Sequence, residues 1–372
     1  MKKILITSTE LMMVQFLVPH VKNLAENGFQ VEIACSEVGG RMEEVRSALD
    51  GTVKAIHTLR LERSPVSPKN LLGYRDLKQL LKENHYDIIW TNEPVMGVVT
   101  RLAANKYRRK GMKVLYMAHG FHFFKGASKV NWLIFYPVER IMAHFCDTIV
   151  TMNQEDYERA QAFKVKDVYK IPGVGVDTRR FHLEYLPSLR SDKRKELGIP
   201  EDSYVLLSVG ELSKRKNHEG VLRALKDLND PTIQYVICGK GDLLDYLKGL
   251  SKELGIEQQV HFMGYRLDVP EFYRMADCFV FPSVHEGLPF ALMEAMASGL
   301  PIVCSRIRGN VDLIEDGVGG ILCDVFDHTA YSTALNRIRS ADTSAMLEVN
   351  HKKLIRFDIN STKALLLNIL KD

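Results

Sequence analysis

Two glutamates that flank a predicted strand-to-helix turn have the spacing best suited to chemistry. Glu286 and Glu294 are separated by seven residues; the run "CFVFPS" before them is a predicted buried strand, and "FALMEAMAS" is a predicted helix. Pro289 suits the first turn of that helix, whose amides near Leu288 would attract an anion. Because carboxylates accept hydrogen bonds from vicinal hydroxyls, the pattern predicts a site for a sugar–phosphate compound. The alternative is that Glu286 caps the helix and Glu294 lies on the surface.

Strand and helix patterns alternate on both sides of one irregular segment. Runs such as "FQVEIAC", "YDIIWTN" and "DTIVTM" alternate with helical stretches such as "YRDLKQLLKEN". Residues 172–202, rich in Gly, Pro and charge, are predicted to form a linker, after which the alternation restarts at "YVLLSVG". This order predicts an α/β protein with parallel sheets and right-handed crossovers. We expect a Rossmann-like domain at 1–178, a second at 179–357, and a helix at 358–372 that packs back on the first.

Candidate ligand-binding residues follow the predicted strands at their carboxyl ends. They are Thr9, Asn92, His119, Glu211, Gly239, Tyr265 and Glu286. In open parallel sheets, ligands bind at this edge. Two doubly wound domains facing an interdomain cleft would therefore bring these residues to one site.

Positive charge is concentrated in the first half of the chain. Residues 1–180 carry 27 Lys and Arg against 19 Asp and Glu, a balance of +8, whereas the remainder carries 23 against 27, a balance of −4. Residues 101–113 hold six basic and no acidic side chains, and residues 120–136 are dense in aromatics. Together they predict contact with an anionic membrane surface, with a solvated helix end and a buried aromatic core as the alternatives. No recognisable nucleic-acid-binding module accompanies the charge, so nucleic acid is not an expected partner.

Metal sites, disulfides and membrane spans are not expected. The six cysteines are scattered without a CxxC pair, and the chain has no P-loop and no Asp-x-Asp pair. The start "MKKILITSTE" reads as a first strand and not as a secretory signal, because its apolar stretch stops after Ile6. These features predict a cytoplasmic protein with buried thiols. The basic and aromatic segments 101–113 and 120–136 predict that it is attached peripherally to the inner face of the cell membrane.

Four segments match motifs that occur together in one enzyme family. They are "S-x-x-E-G-x-P-x-x-x-x-E-A-x-A-x-G-x-P" from Ser283 to Pro301, "SVGELSKRKNHEGVLRAL" (208–225), "IPGVGVDTRRF" (171–181) and "VHFMGYRLDVPEFYRMAD" (260–277). Jointly they resemble the retaining glycosyltransferases of family 4, which have the GT-B fold and a Glu-x7-Glu signature. The resemblance covers residues 171–323 and, more loosely, the first half.

The resemblance implies a role for several residues of the second half. Glu294 would accept from the ribose hydroxyls of a nucleotide sugar, Glu286 would contact the transferred sugar, and Lys216 would pair with the departing diphosphate. Residues expected to complete the donor site are Gly210, Arg215, Tyr265, Arg266, Gly287, Leu288 and Pro289, with Tyr265 and Arg266 lining the base pocket.

Three positions are ambiguous or depart from the family pattern. His119 resembles the histidine that reaches the donor sugar, and His122 is the other candidate. Glu211 stands where the family usually has a second diphosphate-binding arginine, so Arg215 or Lys214 would supply that charge. Met12 and Met13 replace the usual glycine pair after the first strand and would border a pocket for an apolar acceptor.

The expected activity is metal-independent retaining transfer of a sugar, with no cofactor. The donor would be a nucleotide diphosphate sugar, with uracil as the expected base. The acceptor would be a polyprenyl-linked or other saccharide in exopolysaccharide, capsule or O-antigen synthesis. A nucleotide-sugar epimerase or hydrolase of the same fold is the alternative. A nicotinamide-dependent oxidoreductase is less favoured, because "GKGDLL" (239–244) lacks the third glycine of the dinucleotide motif.

Overall fold

The computed structural model describes residues 1–37, 42–181 and 187–371. They form two compact units, one built from 1–175 with 359–372 and the other from 176–358. The first division lies three residues before the predicted boundary at 178, and the second lies one residue after 357. Each unit has its own parallel sheet and hydrophobic core.

The first unit is a seven-stranded sheet in the order β3-β2-β1-β4-β5-β6-β7, with every pair parallel. Its strands are β1 (Lys3–Glu10), β2 (Gln30–Ser36), β3 (Ala55–Thr58), β4 (Ile88–Asn92), β5 (Lys113–Ala118), β6 (Thr148–Thr151) and β7 (Asp167–Lys170). Its first helices are α1 (Leu11–Val14), α2 (Val18–Glu26), α3 (Met42–Leu49), α4 (Lys69–Glu83), α5 (Pro94–Arg108), α6 (Lys129–Met142) and α7 (Gln154–Gln161).

The second unit is a six-stranded parallel sheet in the order β10-β9-β8-β11-β12-β13. It begins with α8 (Thr178–Phe181) and α9 (Pro187–Glu196). Its strands are β8 (Tyr204–Val209), β9 (Ile233–Cys238), β10 (Val260–Gly264), β11 (Cys278–Phe281), β12 (Ile302–Ser305) and β13 (Ile321–Cys323). The remaining helices are α10 (His218–Leu228), α11 (Leu244–Glu253), α12 (Val269–Met275), α13 (Phe290–Ala297), α14 (Asn310–Leu313), α15 (His328–Ser340) and α16 (Ser344–Leu354). The prediction of two Rossmann-like α/β domains is confirmed.

The last helix, α17 (Ile359–Lys371), belongs to the first unit, where it packs against α2. Its start is close to Gly175, which has φ of 81°. A Cβ on Gly175 would lie 2.2 Å from Thr362 Oγ1, so only glycine permits this approach.

The prediction that residues 172–202 form only a linker is wrong for its second part. Helix α9 occupies Pro187–Glu196, while residues 182–186 lie outside the described part of the chain. Arg194 of α9 is buried; it donates to the carbonyls of Ser203 and Met275 at 2.9 Å and to the Asp277 carboxylate at 2.7 Å. This arginine fixes α9 to the second unit, which explains why a charged segment without clear amphipathic spacing is helical.

The basic segment 101–113 is less available for a membrane than its composition suggests. Arg101 is fully buried, with its Nη2 2.8 Å from Glu139 of α6, and Arg108 donates to Asp147 at 2.9 Å. Both arginines therefore hold the fold together, and four exposed lysines and arginines remain: Lys106, Arg109, Lys110 and Lys113.

Candidate active site

Lys216 and Arg215 converge on one carboxylate oxygen of Glu286. Lys216 Nζ and Arg215 Nη1 each lie 2.7 Å from Glu286 Oε1. The two cations come from the loop between β8 and α10, and the glutamate comes from the loop that follows β11, its neighbour in the sheet. The structure thus joins three of the predicted site residues at the carboxyl edge of the second sheet.

Burial makes this cluster electrostatically strong. Lys216 and Glu286 are 9% and 8% exposed. Burial lowers the pKa of the Lys216 ammonium against the attraction of Glu286. Burial opposes ionisation of Glu286 as well, but Lys216 and then Arg215 hold the pKa of its carboxyl below the ordinary value. With all three groups ionised, the cluster carries one excess positive charge, which suits it to an anionic ligand.

Of the two cations predicted as alternatives for the second diphosphate contact, one approaches Glu286. Arg215, and not Lys214, contacts Glu286; the Lys214 side chain is exposed. Glu211 is also exposed, and its charge contributes a small upward effect on the pKa of Lys216. Glu211 therefore adds negative potential near the lysine, and Arg215 offsets it.

The loop that carries Lys216 is fixed by hydrogen bonds of the Asn217 side chain to two backbone carbonyls. Asn217 adopts φ of 51° at the start of α10, and its Nδ2 donates to the carbonyls of Pro282 and Val325 at 3.2 and 3.0 Å. Gly210 leaves room for the lysine, because a Cβ there would lie 3.0 Å from Lys216 Cε. The loop is therefore held in the conformation that presents Lys216.

Glu294 lies on the first turns of α13 and is anchored by a residue that the sequence interpretation missed. Tyr273 Oη lies 2.9 Å from Glu294 Oε2 and 2.9 Å from the Ala291 carbonyl. Burial raises the pKa of Glu294, and the Tyr273 hydrogen bond opposes that rise. The alternative that Glu294 is a plain surface residue is therefore wrong, because its carboxyl is partly buried and hydrogen-bonded.

The turn from Glu286 into α13 is shaped by the loop after β12. Leu288 and Pro289 are buried, and Pro289 is the residue before the first helical position, Phe290. Arg308 Nε donates to the Glu286 carbonyl at 3.1 Å, and a Cβ on Gly309 would meet the Gly287 carbonyl at 2.4 Å. Sequence reasoning missed Arg308 and Gly309, although their position just after a strand of the same sheet is the signal that would identify them.

The two residues predicted to line a base pocket follow β10. Tyr265 is 48% exposed. The Arg266 guanidinium is engaged by Asp268, with Nε and Nη2 at 2.8 and 2.6 Å from its two oxygens. Asp268 thus fixes the orientation of the Arg266 guanidinium, and Nη1 takes no part in this ion pair.

Polar residues also cluster at the carboxyl edge of the first sheet. His119 Nε2 donates to Asn92 Oδ1 at 3.1 Å, which leaves Nδ1 as the acceptor of a neutral ring. Burial lowers the pKa of His119 to about 4, so the ring is neutral at pH 7. Glu93, with φ of 66°, accepts from Ser8 Oγ and the Thr9 amide at 2.6 Å. Burial raises the pKa of Glu93.

His122, the other candidate histidine, lies beside an apolar cavity of the first unit. Its ring stacks on Phe135 with centroids 4.7 Å apart, and Met13 also lines the cavity. The side chain of Met12 lies outside the described part of the chain. His119 and His122 thus have different surroundings, one hydrogen-bonded at the sheet edge and one against an aromatic wall.

Two family models match the chain. "Glycosyl transferases group 1" matches residues 190–353, and "Glycosyltransferase Family 4" matches residues 15–180. The first match lies in the unit that holds the Lys216 cluster, and the second covers most of the unit that holds His119.

Individual proteins that are similar to the chain are also named as glycosyltransferases. A putative glycosyltransferase, EpsD of Bacillus subtilis (strain 168), is 36% identical over 304 residues, which is 79% of this chain and 80% of the relative. A UDP-Gal:alpha-D-GlcNAc-diphosphoundecaprenol alpha-1,3-galactosyltransferase of Escherichia coli is 29% identical over 350 residues, 91% of this chain and 88% of the relative. The structure of Anabaena Alr3699/HepE in complex with UDP and glucose superposes with a TM-score of 0.82 at 21% identity and full coverage of both chains.

Proposed function

Because the chain belongs to the glycosyltransferases with the GT-B fold and is a hexosyltransferase, we propose that it transfers a sugar from a uridine diphosphate sugar to a lipid-linked saccharide with retention of configuration. The acceptor would serve the assembly of a surface polysaccharide. The observation that carries this proposal is the contact of buried Lys216 and partly exposed Arg215 with buried Glu286, beside the start of α13.

The cluster suits a donor diphosphate on grounds of charge. A diphosphate would be attracted by the excess positive charge of Lys216 and Arg215 and by the positive end of the α13 dipole. When the bond between the anomeric carbon and the phosphate oxygen breaks, that oxygen keeps the electron pair, and fixed cations stabilise the developing negative charge. The acceptor hydroxyl oxygen would form the new bond to the anomeric carbon on the same face of the sugar, and its proton would pass to the departing diphosphate oxygen. Transfer on the same face is the course implied by the family resemblance.

Glu286 and Glu294 would bind the two sugars of the donor. Oε1 of Glu286 accepts a hydrogen bond from each of the two cations. Its other oxygen, Oε2, can therefore accept hydrogen bonds from hydroxyls of the transferred sugar. Glu294 would accept from the ribose hydroxyls. The roles of His119 at the donor sugar, and of Tyr265 and Arg266 at the base, stay predictions, with His122 as the other candidate histidine.

The choice of uridine and of a lipid-linked acceptor is supported by similar proteins. The Anabaena protein was solved with UDP and glucose. The Escherichia coli relative is named for a UDP-galactose donor and a diphosphoundecaprenol acceptor. We carry over the chemical class, a uridine donor and a polyprenyl diphosphate saccharide, and not the identity of either sugar.

The proposal is tested by isotope release from a panel of nucleotide sugars, run with EDTA and again with Mg²⁺. We expect one or a few UDP-sugars to be turned over at the same rate in both conditions, because Lys216 and Arg215 take the part that a metal has in other transferases. A rate that depends on Mg²⁺ would contradict metal independence, and turnover of no uridine nucleotide sugar would contradict the donor class.

Replacement of Glu294 by glutamine is expected to weaken UDP binding by roughly 1–3 kcal/mol, the effect of losing a hydrogen bond to a charged group. Burial raises the pKa of Glu294, so acid protonates its carboxylate at pH values above the ordinary value of 4.5. Wild-type affinity should therefore fall as the pH is lowered into that range and recover as the pH rises.

Calorimetry of UDP binding from pH 4.5 to 7.5 measures this effect. The UDP phosphate also titrates, but it does so equally with the Glu294→Gln variant. The difference in UDP binding free energy between the two proteins therefore reports on Glu294 alone. A constant difference across the whole pH range would show that ionised Glu294 does not receive the ribose hydroxyls.

We also propose peripheral attachment to an anionic membrane on the cytoplasmic side, through the surfaces 101–113 and 120–136. Among the described residues, no helix is both long and apolar enough to cross a bilayer. The supporting residues are the four exposed cations of the first surface together with Val130 and Leu133, 61% and 78% exposed, on the second.

Sedimentation with phosphatidylglycerol vesicles tests this attachment. We expect binding at low salt, and about a tenfold or larger loss when Arg109 and Lys110 are both replaced by Gln, because each surface cation contributes roughly 1 kcal/mol. Phosphatidylcholine vesicles are the control. Equal binding of the double variant and the wild type would exclude an electrostatic role for the first surface.

A further inference from the structure

A cavity of about 870 Å³ lies within the first unit, between α4, α5 and α6. This volume is in the range of small-ligand pockets, roughly 300–1,000 Å³. Most of the lining residues are apolar, among them Val66, Leu71, Leu102, Ile134 and Phe135. The proposed donor chemistry of the second unit makes no use of this space.

The polar residues of the cavity lining are concentrated at one end. At the carboxyl edge of the sheet its lining includes Thr9, Glu93 and His122, and Arg63 lies nearby in the segment before α4. Away from that edge the lining is apolar apart from Asn70, Tyr74 and Glu139, and the Glu139 carboxylate is occupied by Arg101. A ligand that fills the cavity would therefore have a polar head and a long hydrocarbon tail.

We propose that this cavity binds the first isoprene units of the acceptor lipid, next to the diphosphate. The inference rests on the proposed function, because it assigns a place to the lipid of that acceptor. The saccharide would lie at the sheet edge near Glu93, the diphosphate near Arg63, and the isoprenoid chain along α5 and α6.

Charge and exposure favour this occupant. Glu93 is held in place by Ser8 and Thr9, so its carboxyl can accept sugar hydroxyls without rearrangement. Arg63 is paired with Glu10, yet its side chain is 66% exposed and a guanidinium has five N–H donors, which leaves donors for a phosphate. The rim is open and apolar, since Val66 and Leu71 are 87% and 67% exposed. The rest of a long chain can leave the cavity there and enter a bilayer.

The chain also offers a matched pair of variants. Ile134 and Ile141 are on the same helix, α6, and are 51% and 56% exposed. Only Ile134 lines the cavity. Replacing each by glutamine makes the same chemical change on the same helix, inside and outside the proposed site.

Binding of inorganic diphosphate, geranyl, farnesyl and geranylgeranyl diphosphate is measured by calorimetry without metal. We expect affinity to rise by at least about tenfold for each added isoprene unit until the cavity is full, because the burial of apolar surface outweighs the cost of ordering the chain. Ile134→Gln should lose at least about tenfold of the farnesyl affinity, while Ile141→Gln stays within about twofold. If Ile134→Gln does not fold, Leu102→Gln on α5, which also lines the cavity, takes its place.

Each other outcome overturns the proposal. Affinity independent of chain length, or equal losses in the two isoleucine variants, would mean that the tail is not in the cavity. Palmitate binding as tightly as farnesyl diphosphate would indicate a site for any acyl chain, and concentration-dependent dimerisation that Ile134→Gln abolishes would identify a second copy as the occupant. UDP affinity, measured on the same samples, reports separately on the donor site, so failure of the isoprenoid site is distinguishable from failure of the proposed function.

Discussion

Replacement of Lys216 by methionine should lower kcat/KM for the UDP-sugar by roughly 10²–10³-fold, the usual cost of removing one preorganised group that stabilises developing charge. Methionine keeps the unbranched apolar stem that passes Gly210, so the change removes the charge, with its position over the Phe281 ring, at little loss of packing. Glu286 retains Arg215 as a partner, which limits the effect on folding.

The effect of Lys216→Met on UDP affinity, compared with its effect on kcat/KM, identifies the role of Lys216. If the lysine acts on the leaving diphosphate, kcat falls and UDP affinity falls less than kcat/KM, because charge on the diphosphate grows as the bond breaks. Lys226→Met, an exposed lysine on α10, is the control and should leave both quantities unchanged. A Lys216→Met enzyme with wild-type kcat and only a raised KM would contradict stabilisation of the leaving group.

The sheet cores could be predicted from the sequence because they consist of continuous apolar runs. β4 and β11 are buried at every position. In a chain whose strand and helix patterns alternate, a short apolar run of this kind predicts a buried strand of a parallel sheet. The edge strands β3 and β7 were missed. Each has four residues, none of them buried, so neither shows the apolar run or the alternation that identifies a strand.

Contacts between distant segments explain the other differences. Arg101 looks like part of a basic patch in the sequence, and only its approach to Glu139 of α6, 38 residues later, shows that it is structural. Tyr273, on α12, supports Glu294, and Arg308, in the loop after β12, supports Glu286. Arg308 could have been suspected from its place after a strand, whereas no local pattern marks Tyr273. Positions at strand ends are predictable from one sequence, whereas the partners that orient them depend on the tertiary fold.

The ion pair between Lys216 and Glu286 illustrates this limit. The sequence interpretation gave the two residues separate tasks, one on the diphosphate and one on the sugar, and 70 positions separate them. In the structure they share a hydrogen bond, so Glu286 also serves as the counter-ion of the two cations when no donor is bound. Its replacement must therefore affect stability as well as catalysis.

Replacement of Glu286 by glutamine should reduce stability at pH 7 by up to about 3–5 kcal/mol, the cost of leaving a buried charge without its partner. The pKa of Glu286 is lowered in the folded state, so its stabilising contribution is present above the unfolded-state value. The difference between wild type and Glu286→Gln should therefore be full at neutral pH and disappear as the pH falls through the lowered pKa. Urea denaturation at several pH values measures it.

The matched control for this change is Glu219→Gln. Glu219 pairs with Arg223 at 2.8 Å on the surface of α10, where an ion pair contributes roughly 0–1 kcal/mol. The free energy of unfolding of Glu219→Gln should thus differ little from that of the wild type at every pH. Equal losses in the two variants would mean that burial of the Lys216 cluster does not strengthen its ion pairs.

Catalysis by Glu286→Gln separates its two roles. Freed from their counter-ion, Lys216 and Arg215 should bind UDP at least as tightly as in the wild type, provided that Lys216 stays protonated once Glu286 no longer raises its pKa. Turnover of the UDP-sugar should nevertheless fall by about 10²-fold or more, because the carboxylate that positions the transferred sugar is lost. Tight UDP binding with slow transfer would support both roles. Weak UDP binding with an unchanged kcat would instead make Glu286 only a support for the two cations, and the sugar contact would have to be assigned to another residue.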